Sequence, residues 1–414
     1  MYKRGAQKQI LISFPGGIYM SWQVYVQLSL MMFLQFAVWG AWSPVLASRL
    51  LGSLKMSGKQ TGWIYGTIYI GCIISPLIAG QIADRWMATQ YFLAAAHLAG
   101  GVLLLASARQ RRFTPLFAIM FLYALAFAPT LALVNSLMFA HLTDPANQSF
   151  GVLLWGTIGW AVAGWALTFW RRLKGSGEGA DCLVLAGGLS LAMGLYCLTL
   201  PHTPPPGRAG DVLPFLKALG LLSNSNFLVF LIVAFLLATQ LQFFFLGTAP
   251  YLSELGVPGR SIPAVMTLAQ VAQLAATAVL AFHTSDIRTR IGFVGIFSIG
   301  VAMWLAMYAV YALMPRRVPV ILSQALHGLA YTFFIWVGFV YVNEVAPQDI
   351  RGSAQGLYTV VLFGFGFFMG TQFTGIVMDK LKTPQGSFRW RQLFLVPCVM
   401  TLICLIVMAA MFRG

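Results

Sequence analysis

The side chains of this sequence that are able to do chemistry are few, mostly uncharged, and embedded in long apolar runs. From Phe150 to Trp170 the chain reads FGVLLWGTIGWAVAGWALTFW, without a charge and long enough to cross a bilayer as one helix. On that helix Leu153, Thr157 and Trp160 fall at i, i+4 and i+7 and share a face, beside a stripe of small side chains made by Val152, Gly156, Gly159 and Ala163. The hydroxyl and the indole offer a hydrogen bond and a ring face to a solute, while the stripe admits a close neighbour. A packed helix whose Thr bonds its own carbonyl has the same pattern. In FLQFAVWGAW, residues 33–42, Gln35, Trp39 and Trp42 repeat the theme of one amide on an aromatic face, fit either to stack a flat ring or to pack a helix. Asn135 stands in a long apolar run and is expected to bond a neighbouring helix. All the acids, Asp84, Asp144, Glu178, Asp181, Asp211, Glu254, Asp286, Glu344, Asp349 and Asp379, fall at the ends of apolar runs or between them. The titratable groups within the runs are His97 and His327, the latter sharing a face with Tyr331 and Phe334. Each is a candidate to hold a proton or to serve as a neutral, bonded ring.

The elements that position these groups follow from composition. Of the 414 residues 59% are hydrophobic and only 9% charged, with a mean hydropathy of +0.80; soluble domains carry about 25% charged residues. The chain is therefore expected to be an all-α polytopic membrane protein. Its formal charge of +16 is spread singly and in pairs between apolar runs, so no basic domain exists to hold nucleic acid. Cys72, Cys182, Cys197, Cys398 and Cys404 lie in or beside apolar runs without CxxC or metal spacing, so neither a metal nor a cofactor is expected. The basic start breaks at Pro15-Gly16-Gly17, too early for the core of a cleaved leader. Apolar windows predict twelve spans, near 22–48, 61–82, 89–108, 115–139, 149–170, 181–200, 226–253, 262–283, 290–313, 317–344, 352–379 and 391–412. Two six-helix halves, 1–200 and 226–414, are joined by a Pro-rich linker at 201–225, in which Val212 to Leu222 is expected to form a short amphipathic helix on the membrane surface.

The second span closes on GQIADRW, residues 80–86, which resembles the GxxxDRxGR loop of the major facilitator superfamily in Gly80, Asp84 and Arg85 but has Met87 and Ala88 where the later Gly-Arg stands. The resemblance implies a cytoplasmic gating loop whose Asp84 meets the start of the eleventh helix, Arg351 to Gln355, a carboxylate at a helix dipole. Further strings occur in collinear order: LQFAVWGAW at 34–42, ADRW at 83–86, APTLALVNS at 128–136, LLWGTIGW at 153–160, TLPH at 199–202 and NEVAPQDIRGSAQGLY at 343–358. Together they are similar to the nucleoside:proton symporter family of that superfamily, which implies a major facilitator fold and a central site built by the fourth, fifth, seventh, eighth and tenth helices. Carried over by motif, Thr157 is retained, Trp160 replaces an aromatic, and Leu153 stands at an arginine position. Gln242 is kept in QLQFFF, while Phe245 stands where an amide is usual. Gln270 and Gln273 occupy the place of a Gln and a Glu, and Tyr331-Thr332 the place of an aromatic and an Asp. Every departure removes charge, so the family's proton chemistry would have to pass to His327 or His97 or be lost.

The residues thus suggest a carrier of a small neutral solute working by alternating access. Amides that both donate and accept, with rings for stacking, suit a nucleoside; they also suit a sugar or polyol. A membrane enzyme is disfavoured, since no GxSxG, HExxH or comparable constellation occurs; a non-transporting receptor remains the alternative from another class. The expected setting is the bacterial inner membrane, as a monomer in lipid with both termini cytoplasmic and no nucleic-acid partner. Charge distribution opposes that orientation. Lys3, Arg4, Lys8, Arg85, Arg208, Lys217, Arg288, Arg290, Arg351 and Arg413 lie on the cytoplasmic side and the other sixteen of the 26 basic residues opposite, against the positive-inside tendency.

Overall fold

The computed structural model describes the backbone of residues 11–14, 18–82, 86–175, 177, 179–204 and 214–413; of these, the side chains of 11, 13–14, 18, 75–82, 145–147, 150, 214–215, 281–286 and 349 are not described. A short hairpin, β1 (Leu11–Phe14) and β2 (Ile18–Ser21), pairs antiparallel with Leu11 opposite Ser21. The described residues after it are mostly helix, with short connections and one isolated bridge, Lys382 to Phe388. We number the helical passages α1 (Trp22–Ser53), α2 (Gly58–Ile82), α3 (Thr89–Arg109), α4 (Phe113–Ala140), α5 (Pro145–Lys174), α6 (Asp181–Cys197), α7 (Ser225–Glu254), α8 (Ile262–Leu280), α9 (Ile287–Leu313), α10 (Arg317–Val345), α11 (Arg351–Lys380) and α12 (Trp390–Met411). Ten are long and apolar enough among the described residues to cross a bilayer, and the shorter α6 is apolar too, consistent with twelve passages in a six-plus-six fold.

Helix is the dominant element because hydrocarbon offers no partner for a free peptide group, and only a helix satisfies its own backbone there. Departures from the regular helix have local causes. Pro44 interrupts α1, which resumes at Leu46–Ser48 and ends in a π segment, Arg49–Ser53. Within the first turns of α9 the backbone kinks at Gly292, where φ 65° and ψ 178° demand a residue without Cβ. α10 and α11 carry π segments at Thr332–Trp336 and Val360–Gly366, midway along each.

The first half is tied by polar contacts as well as packing. Gln35 of α1 donates through Nε2 to Thr130 Oγ1 of α4 at 2.8 Å, and its Oε1 lies 2.8 Å from His97 Nε2 of α3. Ser190 of α6 donates to the His97 carbonyl at 2.8 Å and stands 3.3 Å from Nδ1. Four helices thus share one buried network, and Gln35 and His97 are part of it. The small stripe of α5 faces α1: a Cβ at Gly156 would meet the Phe36 ring at 2.7 Å, and one at Gly159 would strike the Phe33 carbonyl. Asn135, expected to bridge helices, instead donates to Leu131 O of its own helix at 3.0 Å. The i−4 carbonyl lies within reach of any short polar side chain on a helix, so no neighbour was required.

The linker's amphipathic segment forms a 3-10 helix, Pro214–Ser223. It packs on the first turns of α11, Arg351–Thr359, with Ala218 fully buried. Its apolar face finds protein because α11 begins directly beside it. The linker's start is held to the first half: Thr89 N donates to Thr203 O, Thr203 N to Gln90 Oε1 (both 3.0 Å), and His202 Nδ1 pairs with Gln90 Nε2 at 2.7 Å.

Candidate functional site

The two halves meet along α2 against α11, along the end of α1 (Leu46–Ser48) against α7, and along α5 against α8. Close approach there is a matter of glycine. A Cβ at Gly62 would strike the Thr371 carbonyl, and Gly58 and Gly375 each occupy the space a Cβ on the other would need. Between described residues, all hydrogen bonds joining the halves lie toward the end of the bundle away from the linker or near its middle. On α5, Trp165 Nε1 donates to Thr267 Oγ1 at 2.7 Å, Thr168 Oγ1 accepts from Ala264 N at 2.9 Å, and Arg171 Nη1 donates to Gly259 O at 3.0 Å. On α2, Gly58 N and Lys59 N donate to Asp379, Gly62 O accepts from Gln372 Nε2 at 3.2 Å, and Tyr69 OH donates to Gln242 Oε1 at 3.4 Å.

Along this seam Trp160 packs over Gly40, where a Cβ would lie 2.8 Å from the Trp160 Cα, and meets Trp39 edge-on at 5.6 Å. Trp160 and Gln270 then face a common crevice between α1, α5 and α8, also bordered by Pro44, Gly164, Pro263 and Thr267. Its free space is about 10 Å³, room for roughly one water. No nucleoside-sized molecule passes there in this conformation, so the seam is shut at that end.

The sequence-derived candidates fall into groups. Trp160 and Gln270 are brought together across the halves. Gln242 is fully buried at the seam; its Oε1 is met by Tyr69, and its Nε2 is a buried donor without a partner. Gln273 and Thr332 meet through backbone: Thr332 Oγ1 lies 3.4 Å from Gln273 O and 3.2 Å from Gly328 O, so that hydroxyl serves the packing of α8 on α10. Tyr331 lies beside His327, centroids 6.2 Å apart, and His327 is stacked on Phe244 of α7 at 3.9 Å and 12°. Thr157 is half-buried on α5. Trp42 belongs to the interior, packed against Tyr65 and Tyr123. Gly80 lies on α2 with its surroundings undescribed, and Asp84 and Arg85 of the expected gating loop lie outside the described residues.

The two histidines differ in what faces them. Trp304 Nε1 donates to His327 Nδ1 at 3.3 Å. An indole N–H is a donor only, so Nδ1 holds its lone pair and the neutral ring carries its proton on Nε2. His97 instead faces the oxygens of Gln35 and Ser190.

Sequence reasoning missed the closure itself. Asp379 read as a span-end acid and Arg171 as a loop charge; Arg171 is 1% exposed and forms a bidentate pair with Asp181 at 2.6 and 2.9 Å. Ser57 and Gln60 form a capping box at the start of α2, with Gln60 N on Ser57 Oγ at 3.1 Å and Ser57 N on Gln60 Oε1 at 3.0 Å. That S-x-x-Q spelling before an apolar run was a legible signal.

Two six-helix halves that touch along a glycine-lined seam, closed on one side and bearing amides and rings at mid-depth, define a secondary carrier of the major facilitator type. The chain belongs to the nucleoside H+ symporter family, whose model matches residues 22–414. It is 32% identical over 408 residues to the putative nucleoside transporter YegT of Escherichia coli, covering 94% of this chain and 93% of that one. It is 27% identical over 410 residues to the nucleoside permease NupG of the same organism, covering 94% and 96%. The crystal structure of nucleoside transporter NupG superposes with a TM-score of 0.82 at 26% identity, covering 94% of this chain and 99% of that one. A D-xylose-proton symporter, at 14% identity and a TM-score of 0.71, shares the fold.

Proposed function

We propose that this carrier moves nucleosides across the membrane by alternating access, binding them between α5 on one half and α7, α8 and α10 on the other. The observation that carries the reading is the convergence of Trp160 and Gln270 across the seam, with the unpaired amide N–H of Gln242 buried at its mid-depth. Trp160 and Tyr331 supply ring faces for a base, Thr157, Gln242, Gln270 and Gln273 the donors and acceptors for its edge and for ribose hydroxyls. Thr332 supports this wall from behind. His327 adds a neutral Nε2–H donor. No bond is made or broken in this cycle, and no cofactor takes part.

The described acid side chains lie at the ends of spans, so a transported proton would reside on a histidine. His97 is the better seat, because its two nitrogens face oxygens that accept from an imidazolium, whereas His327 would have to give up the Trp304 bond. Both termini are placed in the cytoplasm with the linker, and Gly80, Asp84 and Arg85 keep the gating role that the loop motif implies on that side. The protein acts as a monomer in the bilayer of the bacterial inner membrane.

The deciding measurement is uptake of labelled uridine and adenosine into proteoliposomes, with unlabelled xylose as competitor, with and without an inward proton gradient. Saturable uptake competed by nucleosides and not by xylose is expected. Competition by xylose alone would reassign the solute to sugars, and binding without uptake would make the protein a receptor. Accumulation that needs the gradient and is lost in His97→Gln supports the proton assignment. Loss only in His327→Phe moves the proton to His327, and indifference to the gradient identifies a facilitator.

A further inference from the structure

The start of α2 is capped by two halves of the molecule at once. A helix begins with four N–H groups that have no partner within it. At α2 the capping box meets those of Ser57 and Gln60 from within the first half. The two between them are met from the second half: Asp379, at the end of α11, accepts from Gly58 N at 2.5 Å and from Lys59 N at 2.9 Å. One carboxylate therefore spends both oxygens on the positive end of a helix dipole that belongs to the opposite half.

We propose that Asp379 is a latch that holds the carrier closed at the end away from the linker and must be released for that end to open. Three features of the contact make it a latch and not a general packing surface. First, it joins backbone to side chain across the seam, so it forms only when the two helix ends are in register. Second, that register is set by Gly58 and Gly375, whose backbones touch where any side chain would hold them apart. Third, separation leaves α2 intact, because its own capping box persists and water replaces the carboxylate; the end is built to lose this partner. A second bridge of the opposite sign lies on the same side, where Arg171 of the first half, its charge balanced by Asp181, donates to the Gly259 carbonyl of the second half. Each half thus contributes one ionised group to the other's backbone. These contacts rest only on the carrier's having two access states, and not on which solute it moves.

The test is a distance measurement without substrate. In protein whose native cysteines are replaced by alanine, spin labels at the exposed Lys55 and Lys380 report the separation of the two halves at this end. We expect Asp379→Ala to add a longer-distance population and to move the closed-to-open ratio by about tenfold. Asp379→Asn, which keeps one acceptor, falls between, and Asp379→Glu restores most of the short distance. Gln372→Ala, which removes only a neutral bond on the same seam, shifts the ratio less than Asp379→Ala. An unchanged distance distribution in Asp379→Ala, in protein that elutes as a single species, overturns the proposal. So does an equal shift in Gln372→Ala, which would mean that any weakening of the seam suffices. Because no nucleoside is present, failure here leaves the substrate assignment standing, and failure of nucleoside uptake leaves this result standing.

Discussion

His327 accepts from Trp304 and stacks on Phe244, so its ring is held in one plane and one tautomer. His327→Phe should keep the stack and lose the Nε2–H donor. The expected result is a KM for uridine raised about fivefold, the effect of roughly 1 kcal/mol for one hydrogen bond, together with a lowered melting temperature because the buried Trp304 N–H loses its acceptor; uptake kinetics and thermal unfolding in detergent read the two effects separately. Gln35 has the converse role. Gln35→Leu strips partners from both Thr130 and His97 in a fully buried setting. It is expected to cost about 1–3 kcal/mol, seen as a lowered melting temperature, whereas substrate affinity in the surviving folded protein stays near that of the parent. Helical spacing did not separate Gln35 from Gln242, both amides in apolar helices; the family resemblance alone singled out Gln242. Their difference lies in which helix stands opposite, and no local pattern encodes that.

At the scale of elements, glycine decides how closely helices approach. A Cβ at Gly328 of α10 would run into the Ala269 carbonyl of α8 and lie 2.8 Å from Gln273 N. Gly328→Ala should therefore force α8 from α10, disturb the wall that carries Gln270 and Gln273, and lower both folded yield and uptake, as measured by size-exclusion chromatography and transport. The junction of α4 with the linker offers a pH test. His141, at the end of α4, pairs with Thr203 Oγ1 at 2.9 Å, and partial burial pushes its imidazole below the ordinary value. A lowered value in the folded state means that the unfolded chain binds the proton more readily, so stability is full above the unfolded value of about 6.5 and falls as the pH drops below it. His141→Gln should flatten the melting temperature between neutral and mildly acidic pH. The small stripe of α5 was legible, since small residues at helical spacing have one use. The landing place of the linker helix was not, because an amphipathic segment next to membrane helices fits a lipid surface and a protein groove equally well.

For the whole molecule, the structure answers part of the charge conflict. Positive-inside counting treats every Arg and Lys outside the spans as a free charge. On the side away from the termini, Arg171 is buried against Asp181 and Gly259, and Arg49 donates to the carbonyls of Ala108 and Gln110. These are structural donors fixed by folding and count less toward orientation. Tags on both termini should accordingly be reached by antibody only after the membrane is permeabilised; labelling of intact cells would reverse the assignment. The bundle, its halves and its family followed from apolar windows, a Pro-rich break and collinear strings, because bilayer thickness sets helix length and hydrocarbon forbids other backbone solutions.

What the chain by itself determined, then, was a set of greasy helices in two halves, with rings and amides spaced to share faces. Only the tertiary structure decided that Trp160 and Gln270 face one crevice, that Gln35 is occupied by its neighbours, and that Asp379 caps a helix more than three hundred residues earlier in the chain. Periodicity is a property of one helix and is written in adjacent residues. Pairing across a seam depends on which backbones come within hydrogen-bond reach once both halves have folded, and that information is spread over contacts between residues far apart in the chain.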